Sequence, residues 1–248
     1  MENMVLVGLS RQMALRRELD VIANNLANLN TTGFKAESVL FEEHLQPTAR
    51  FDHFTQPHDR RVSFVLDRET RTDMSQGMMI QTCSKFDVAI DGEGFFTVET
   101  PQGDRYTRAG SLSVNATGEL VTHAGYRVLG AGGPIVLDPN DTEISIARDG
   151  TISTREGERG KLRLVQFGNP GELTKLGDNL YSSSAEPLPA DVNTRVIQGT
   201  LEKSNVQPVM EIGRMIEVTR SYTTLAGLMS RADELRRSAI ERLADVPA

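Results

Sequence analysis

Apolar residues near the start of the chain recur with the spacing of a helix that packs along a narrow seam. Their separations of four, three, four and three positions match a heptad repeat, and the residues are Leu15, Leu19, Ile22, Leu26 and Leu29. We therefore predict a helix over residues 3–29, about 40 Å long at 1.5 Å per residue. Leu6, Leu9 and Met13 form a second stripe. Gly33, after the last seam residue, is placed to cap the helix.

The end of the chain carries a matching seam. Its apolar residues are separated by three, four, three, four and three positions: Met215, Val218, Tyr222, Leu225, Met229 and Ala232. Leu228 and Leu235 widen this stripe. Pro208 suits the first helical position and Glu211 suits the first turn. We predict a helix over residues 208–244, about 55 Å long.

Glycine and proline, which break helices, are concentrated between these two segments. All ten prolines lie at position 47 or later, and 17 of the 21 glycines lie in residues 36–204. Gly92-Glu93-Gly94 is predicted to be a tight turn between two strands, and Asp149-Gly150 a hairpin turn. We therefore predict an antiparallel sandwich or small barrel over residues 74–203, and an irregular connector over residues 36–73.

The predicted fold class is α+β, with paired, coiled-coil-like terminal helices and a central antiparallel β domain. The expected segments are residues 1–35, 36–73, 74–203 and 204–248. Two interpretations of the helices stay open: a pair packed on the β domain of its own chain, or arms that assemble with copies of the chain. The terminal segments are nearly neutral and the middle is acidic. This favours assembly through the ends, because neutral segments crowd together without self-repulsion.

The composition excludes several classes of function. The net charge is −7, which argues against a nucleic-acid surface because such surfaces are rich in Lys and Arg. The single cysteine, Cys83, excludes an intrachain disulfide framework and a multi-cysteine zinc site. We expect Cys83 on a strand, with a buried or idle thiol. The sequence has no apolar run long enough to span a membrane, and its start lacks the pattern of a secretory signal.

Candidate chemistry is sparse. His44, His53 and His58 fall in the connector without the spacing typical of a metal site. Gly92-Glu93-Gly94 lacks the Gly-Lys-Ser/Thr ending of a phosphate loop and precedes a strand. No Gly-x-Ser-x-Gly motif is present. We predict no catalytic residue, no metal, no cofactor and no small-molecule substrate.

Asparagine is unusually frequent at the end of the first seam. Asn24, Asn25, Asn28 and Asn30 fall within seven residues, although asparagine is a poor helix former. An amide both donates and accepts hydrogen bonds, so it can set the register of closely packed helices. A fraying helix end is the alternative interpretation.

Four segments, in order along the chain, resemble one protein family. Ala23-Asn24-Asn25-Leu26-Ala27-Asn28 with Thr32-Gly33-Phe34-Lys35 closely resembles the N-terminal signature of bacterial flagellar rod and hook proteins. Residues 87–96 and 106–126 are similar to the β domain of that family. Residues 199–206, Gly-Thr-Leu-Glu-Lys-Ser-Asn-Val, resemble its approach to the C-terminal helix.

The resemblance implies a structural role. In this family the terminal helices pack with those of neighbouring subunits into the wall of an axial tube, the β domain lies outside, and export uses the flagellar type III apparatus without a cleaved signal. The implied partners are copies of the chain, other rod proteins, surrounding ring proteins and the export apparatus. Seam and motif together nominate these assembly residues: Leu15, Leu19, Ile22, Asn24, Asn25, Leu26, Asn28, Gly33, Phe34, Ser204, Asn205, Val206, Met215, Val218, Tyr222 and Leu225.

Two alternatives accompany this interpretation. The short middle and the opening residues are most similar to proximal rod proteins, and distal rod proteins are the close alternative. A different class of function is a β-sandwich on a helical stalk that binds a glycan or peptide. The absence of Trp and the presence of only four Tyr argue against it, because such surfaces use aromatic platforms.

Overall fold

The chain divides into two compact units, each built from segments that are distant in sequence. A computed structural model describes residues 2–47, 61–138, 141, 143–191 and 193–244. The helical unit comprises Met1–Leu26, Glu37–Arg71 and Gln207–Ala248. The β unit comprises Ala27–Ala36 and Thr72–Val206.

Two long helices dominate the helical unit. They are α1, Glu2–Ala27, and α2, Pro208–Ala244. Both predicted helices are confirmed, and α2 has the predicted bounds, with Pro208 at its start and Glu211 in its first turn. None of the described helices is long and apolar enough to cross a membrane.

The predicted cap of α1 is wrong. The helix ends at Ala27, so Gly33 lies too far along the chain to cap it. The asparagine-rich segment provides the physical reason, because its side chains compete for backbone hydrogen bonds. The Thr31 amide donates to the Asn28 carbonyl at 3.1 Å, and the Thr31 hydroxyl donates to Asn28 Oδ1 at 3.0 Å.

The segment predicted to be an irregular connector contains two strands. They are β1, Glu37–Pro47, and β2, Arg61–Thr72, and they form a two-stranded sheet. The prediction of irregular structure is wrong because strands pair through their backbones, and such pairing does not require a sustained apolar alternation in the sequence. His44 lies on β1, whereas His53 and His58 lie outside the described residues.

The β unit is built from short strands. They are β3 Met79–Gln81, β4 Val88–Asp91, β5 Phe95–Thr100, β6 Gly103–Thr107, β7 Leu112–Val114, β8 Leu120–Thr122, β9 Arg127–Gly130, β10 Gly133–Pro134, β11 Ser145–Ile146, β12 Thr151–Thr154, β13 Gly157–Lys161, β14 Leu164–Gln166, β15 Thr174–Lys175, β16 Tyr181–Ser182, β17 Leu188–Pro189, β18 Arg195–Gln198 and β19 Thr200–Glu202. A single 3₁₀ turn, Pro170–Glu172, is described between β14 and β15.

The predicted antiparallel pairing of the β unit is confirmed. Its largest sheet has the order β15-β16-β6-β5-β9-β8-β7, with β14 also on β5, β17 on β14 and β10 on β9. The smaller sheets are β11-β12-β13, β18-β4 and β19-β3. Each strand pairing described in this unit is antiparallel. The fold class is therefore α+β.

Strand β5 contributes to two apolar clusters, one on each of its faces. Phe96 and Val98 join the larger cluster, which also contains Val88 and Ile90 of β4. Phe95 joins a smaller aromatic cluster, in which it packs edge-to-face on Phe167 and Tyr181 with ring centroids 5.9 and 5.8 Å apart.

The chain bends at Gly92-Glu93 between β4 and β5, and it turns at Asp149-Gly150 between β11 and β12. A tight turn at Gly92-Glu93-Gly94 stays a prediction. Gly92 and Gly94 have positive φ, which suits glycine. Strands β4 and β5, which flank this bend, pair with different partners. The Asp149-Gly150 turn joins β11 to β12 as a hairpin, with Ile146 opposite Ile152.

Cys83 differs from its prediction. It lies between β3 and β4 rather than on a strand, and its side chain is exposed. Its φ of +62° is left-handed, which interrupts the extended backbone. The amides of Thr82 and Cys83 both donate to the Gly199 carbonyl, at 2.7 and 3.2 Å. Gly199 also has a positive φ, +71°, so both backbone segments depart from extended geometry at this point.

Candidate assembly site

Side chains of the two helices contact each other within the helical unit. The Gln12 amide donates to the Tyr222 hydroxyl at 3.1 Å, and Arg214 Nε donates to Glu18 Oε1 at 2.9 Å. Residue numbers rise along α1 as they fall along α2, so the helices run antiparallel here. Ile22 and Val218 are buried, and the other predicted seam residues are half-buried: Leu15, Leu19, Leu26, Leu29, Met215, Tyr222, Leu225, Met229 and Ala232. Leu29 lies beyond the end of α1. A coiled-coil geometry stays a prediction.

A second apolar stripe on each helix remains exposed. On α1 it consists of Leu6, Leu9 and Met13, whose exposed fractions are 52%, 47% and 66%. On α2 it consists of Val209, Ile212 and Ile216, at 80%, 46% and 56%. In both helices the stripe residues are spaced by three and four positions, so they lie on one face. Leu228 and Leu235, which we predicted would widen the buried seam, are also exposed.

Asn25 binds a strand backbone rather than another helix. Its Nδ2 donates to the Glu37 carbonyl at 2.8 Å, and its Oδ1 accepts from the Glu37 amide at 2.9 Å. The side chain is 1% exposed, so both amide groups are satisfied where water cannot reach them. Asn25 thereby sets where β1 begins relative to α1. Asn24 is exposed and Asn28 half-buried, and their predicted roles in register remain predictions.

Asn205 makes an equivalent contact within the β unit. Its Oδ1 accepts from the Ala36 amide at 2.7 Å. Its Nδ2 lies within hydrogen-bond distance of the Asp73 and Ser75 carbonyls, at 2.9 and 3.1 Å. Ser204 is buried, and its hydroxyl accepts from the Val206 amide at 3.3 Å. The Ser-Asn-Val motif therefore holds the segment that leads into β1.

Two cations and one carboxylate form a buried ion triad of Lys35, Arg108 and Glu202. Lys35 Nζ lies 2.6 Å from Glu202 Oε1, and Arg108 Nη1 lies 3.4 Å from Glu202 Oε2. The side chains are only 1%, 5% and 1% exposed for Lys35, Arg108 and Glu202. Because the three side chains are buried and come from distant parts of the sequence, the triad joins those chain segments to one another.

Backbone groups complete the polar surroundings of the triad. Lys35 Nζ also donates to the Ser75 carbonyl at 2.6 Å, and the Gly77 amide donates to Glu202 Oε1 at 2.9 Å. Arg108 Nη2 donates to the Gly92 carbonyl at 2.8 Å, and its guanidinium lies 5.4 Å from the centre of the Phe95 ring. Arg108 Nε is buried and has no hydrogen-bond partner among the described residues.

Burial and charge act in opposite directions on the two cations. Burial lowers the pKa of Lys35 and of Arg108, because a low-dielectric interior disfavours the charged form. The negative charge of Glu202 raises the pKa of both groups. The positive charge of Arg108 lowers the pKa of Lys35 further. Glu202 is therefore the group that makes two neighbouring buried cations tolerable.

Glycine allows the backbones around the triad to approach closely. The Gly33 amide donates to the Glu202 carbonyl at 2.8 Å, and Gly33 has a φ of +66°. A Cβ at Gly33 would lie 2.4 Å from the Arg108 carbonyl carbon. Next to it, the Phe34 ring is covered by Lys175 Nζ at 3.6 Å from the ring centre. Gly33 and Phe34 therefore act in packing the N-terminal motif against the β unit.

Family models match three separate parts of the chain. One described as "Flagella basal body rod protein" matches residues 6–35, one described as "Flagellar hook protein FlgE/F/G D1 domain" matches 89–154, and one described as "Flagellar basal body rod FlgEFG protein C-terminal" matches 197–242. The chain is 43% identical to the flagellar basal-body rod protein FlgF of Caulobacter vibrioides, over 99% of this chain and 100% of the relative. The chain belongs to the flagellar basal-body rod protein family.

Other members of the rod family are similar over nearly as much of the chain. FlgF of Mesorhizobium japonicum is 36% identical over 98% of both chains. FlgG of Buchnera aphidicola subsp. Baizongia pistaciae is 36% identical over 88% of this chain and 90% of the relative. Each of the three matched segments supplies one member of the ion triad: Lys35, Arg108 and Glu202.

Sequence reasoning missed the ion triad although it quoted all three residues within rod-family motifs. Each residue looks locally like a surface charge, and the three are separated by as much as 167 positions. The only local signal is a charged residue next to apolar or glycine neighbours, as in Gly33-Phe34-Lys35. In the part of the chain that the structure describes, no group of three His, Cys, Asp or Glu side chains is arranged to hold a metal ion.

Proposed function

We propose that this chain is a structural subunit of the bacterial flagellar basal-body rod. It assembles with copies of itself and with other rod proteins, and its location is the basal body. The proposal is supported by relatives named flagellar basal-body rod proteins that align over nearly the whole chain. The family is a structural one, so no catalytic role is proposed.

The observation that carries the proposal is the exposed stripe on each helix. The first residues of each stripe, Leu6 on α1 and Val209 on α2, are 52% and 80% exposed. A helix with an apolar seam on one face and a second apolar stripe on another has surface for more than one neighbour. In the assembled rod, the seam joins the two helices of one chain and the stripes face the helices of adjacent subunits.

The finer proposal is a subunit of the proximal rod. Its support is the FlgF relative of Caulobacter vibrioides, at 43% identity over 99% of this chain, whereas FlgG relatives are 32–36% identical over 88–94% of it. The helices would then form part of a periplasm-spanning drive shaft that transmits torque and lines the export channel. Contact with ring proteins and with the export apparatus, and export without a cleaved signal peptide, belong to the same proposal.

The test replaces the α2 stripe and leaves the seam intact. The double variant Ile212→Ser, Ile216→Ser should keep the helical content of the monomer, because both residues are exposed, and should abolish polymerisation seen by sedimentation velocity and electron microscopy. Leu188→Ser is the matched control, since Leu188 is 50% exposed but lies in the β unit. Polymers of normal length from the double variant would contradict the proposal.

A further inference from the structure

The ion triad joins the two ends of the β unit to its middle. Lys35 comes from the N-terminal segment, residues 27–36, and Glu202 from the C-terminal segment, residues 199–206. Arg108 lies between them in sequence and meets the same carboxylate. Three parts of the chain must therefore be in place before the triad is complete.

The two end segments also contact each other directly. The Gly33 amide donates to the Glu202 carbonyl at 2.8 Å, and the Asn205 amide donates to the Phe34 carbonyl at 3.4 Å. The Asn205 side chain accepts from the Ala36 amide at 2.7 Å. Each segment therefore forms part of the surface on which the other lies.

The charges of the triad make the docking of each end segment depend on the presence of the other. If the C-terminal segment leaves, Lys35 and Arg108 both lose the carboxylate that pairs with them, and like charges in a low-dielectric site repel strongly. If the N-terminal segment leaves, Glu202 loses the closer of its two cations, which lies at 2.6 Å rather than 3.4 Å. Loss of the C-terminal segment therefore leaves two cations unpaired, whereas loss of the N-terminal segment removes the shorter ion pair and the backbone hydrogen bonds between the segments.

We propose that Glu202 is a positioning residue that couples the docking of the two end segments on the β unit, so that neither stays docked alone. The coupling is reciprocal, because a free energy that links two docking events acts equally on both. The β unit thus closes in one cooperative step that requires the N-terminal and C-terminal segments together. This property concerns the single chain and does not depend on its assembly into a rod.

The experiment measures amide hydrogen exchange by mass spectrometry on the full-length protein. Four variants are compared with the parent chain: Glu202→Gln, Lys35→Met, the double variant carrying both, and Glu99→Gln. Glu99→Gln is the matched control, because Glu99 is a carboxylate of the same unit that forms an ion pair with Arg127 on the surface, 3.6 Å apart. The reporters are the peptides over residues 27–36 and 199–206, and the reference peptide covers β5.

Coupling predicts a specific pattern of protection. Glu202→Gln should speed exchange in both end segments by on the order of a hundredfold, because it leaves two buried cations unpaired. Lys35→Met should change exchange much less, because Arg108 and Glu202 remain as a neutral pair. The double variant should exchange more slowly in both segments than Glu202→Gln, because one uncompensated charge is gone. The β5 peptide and the Glu99→Gln variant should match the parent chain.

Three results would overturn the proposal. One is loss of protection in only one end segment of Glu202→Gln. Another is an equal loss in Lys35→Met and Glu202→Gln, which indicates packing rather than charge. The third is the absence of any rescue in the double variant. If Glu202→Gln fails to fold, the same comparison applies to folding itself: a folded double variant supports the coupling, and an unfolded one contradicts it.

Discussion

Gly110 occupies a point where two backbones lie too close for any side chain. A Cβ at this residue would lie 1.6 Å from the Val88 carbonyl oxygen, and the Val88 amide donates to the Gly110 carbonyl at 2.9 Å. Val88 belongs to β4 and is fully buried. The close approach therefore sets the position of a core strand.

Gly110→Ala should lower the free energy of unfolding of the β unit by about 3 kcal/mol, the upper end of the usual cost of overpacking, because the backbone of β4 must shift to make room. Urea denaturation followed by circular dichroism measures the change. Gly132→Ala is the control, since nothing lies within 4 Å of its Cβ position. Equal midpoints for the two variants would show that β4 moves freely, contrary to this account.

Asp149, in the turn between β11 and β12, has a lowered pKa. The Thr151 hydroxyl donates to Asp149 Oδ2 at 2.8 Å, and Lys161 Nζ lies 3.0 Å from the same oxygen. These contacts stabilise the carboxylate and lower its pKa from 3.8 to about 2, with the Thr151 side-chain hydrogen bond as the largest cause.

The acid dependence of the β11–β12 hairpin follows from this shift. The depressed pKa means that the folded state favours the ionised carboxylate, so its stabilising effect is complete above pH 3.8 and is lost as the pH falls toward 2. Carboxyl carbon chemical shifts in an NMR titration should give a midpoint for Asp149 near 2. A midpoint near 3.8 would mean that the hydrogen bonds to Thr151 and Lys161 do not form.

Secondary structure could be predicted where residues close together in the sequence determine it. The bounds of α2 follow from Pro208, the absence of later proline before residue 247, and an uninterrupted heptad spacing. The Asp149-Gly150 hairpin follows from a dipeptide that accepts positive φ. The strands β1 and β2 were missed because their pairing depends on backbone groups, and β4 pairs with β18, which is distant in sequence. Neither fact leaves a local pattern.

Helix α2 contains two glycines, Gly213 and Gly227, with nothing within 4 Å of either Cβ position. Glycine in a helix interior is less favourable than alanine by about 1 kcal/mol. Gly227→Ala should therefore stabilise α2 by up to that amount, seen as a higher melting temperature of the helical signal at 222 nm.

The reverse substitution provides the control for this prediction. Ala239→Gly, at another exposed position of the same helix, should lower the melting temperature by a similar interval. If Gly227→Ala leaves the melt unchanged while Ala239→Gly lowers it, the backbone at residue 227 is constrained by something other than helix propensity.

At the scale of the whole molecule, the sequence predicted which segments carry the family motifs but not that these segments contact one another. The resemblance identified residues 32–35 and 199–206, and both lie at the ion triad. Their meeting could not be read from spacing, because Lys35 and Glu202 are 167 positions apart and Arg108 and Glu202 are 94 apart. The seams were predictable since each repeats along one helix, whereas the triad has one residue per segment and no period.

Leu26→Ala tests whether the helical seam matters for assembly. Truncating a buried leucine costs about 2–5 kcal/mol, and Leu26 is half-buried, so the lower end of that range is expected for one chain. In a polymer the loss recurs in every subunit. The variant should keep a folded β unit, as judged by hydrogen exchange, and should reduce the number of complete rods. Basal bodies of normal number and length, counted by electron microscopy of cells, would contradict a role of the seam in assembly.

The contacts between the two end segments also determine how the β unit bears tension. A pull on its two ends is passed directly from residues 33–35 to residues 202–205, because these are bonded to each other. The residues between these two segments carry no tension while the contacts hold. Only if these contacts rupture does the intervening chain become a tether, and the 167 positions between Lys35 and Glu202 then provide about 550 Å of extension.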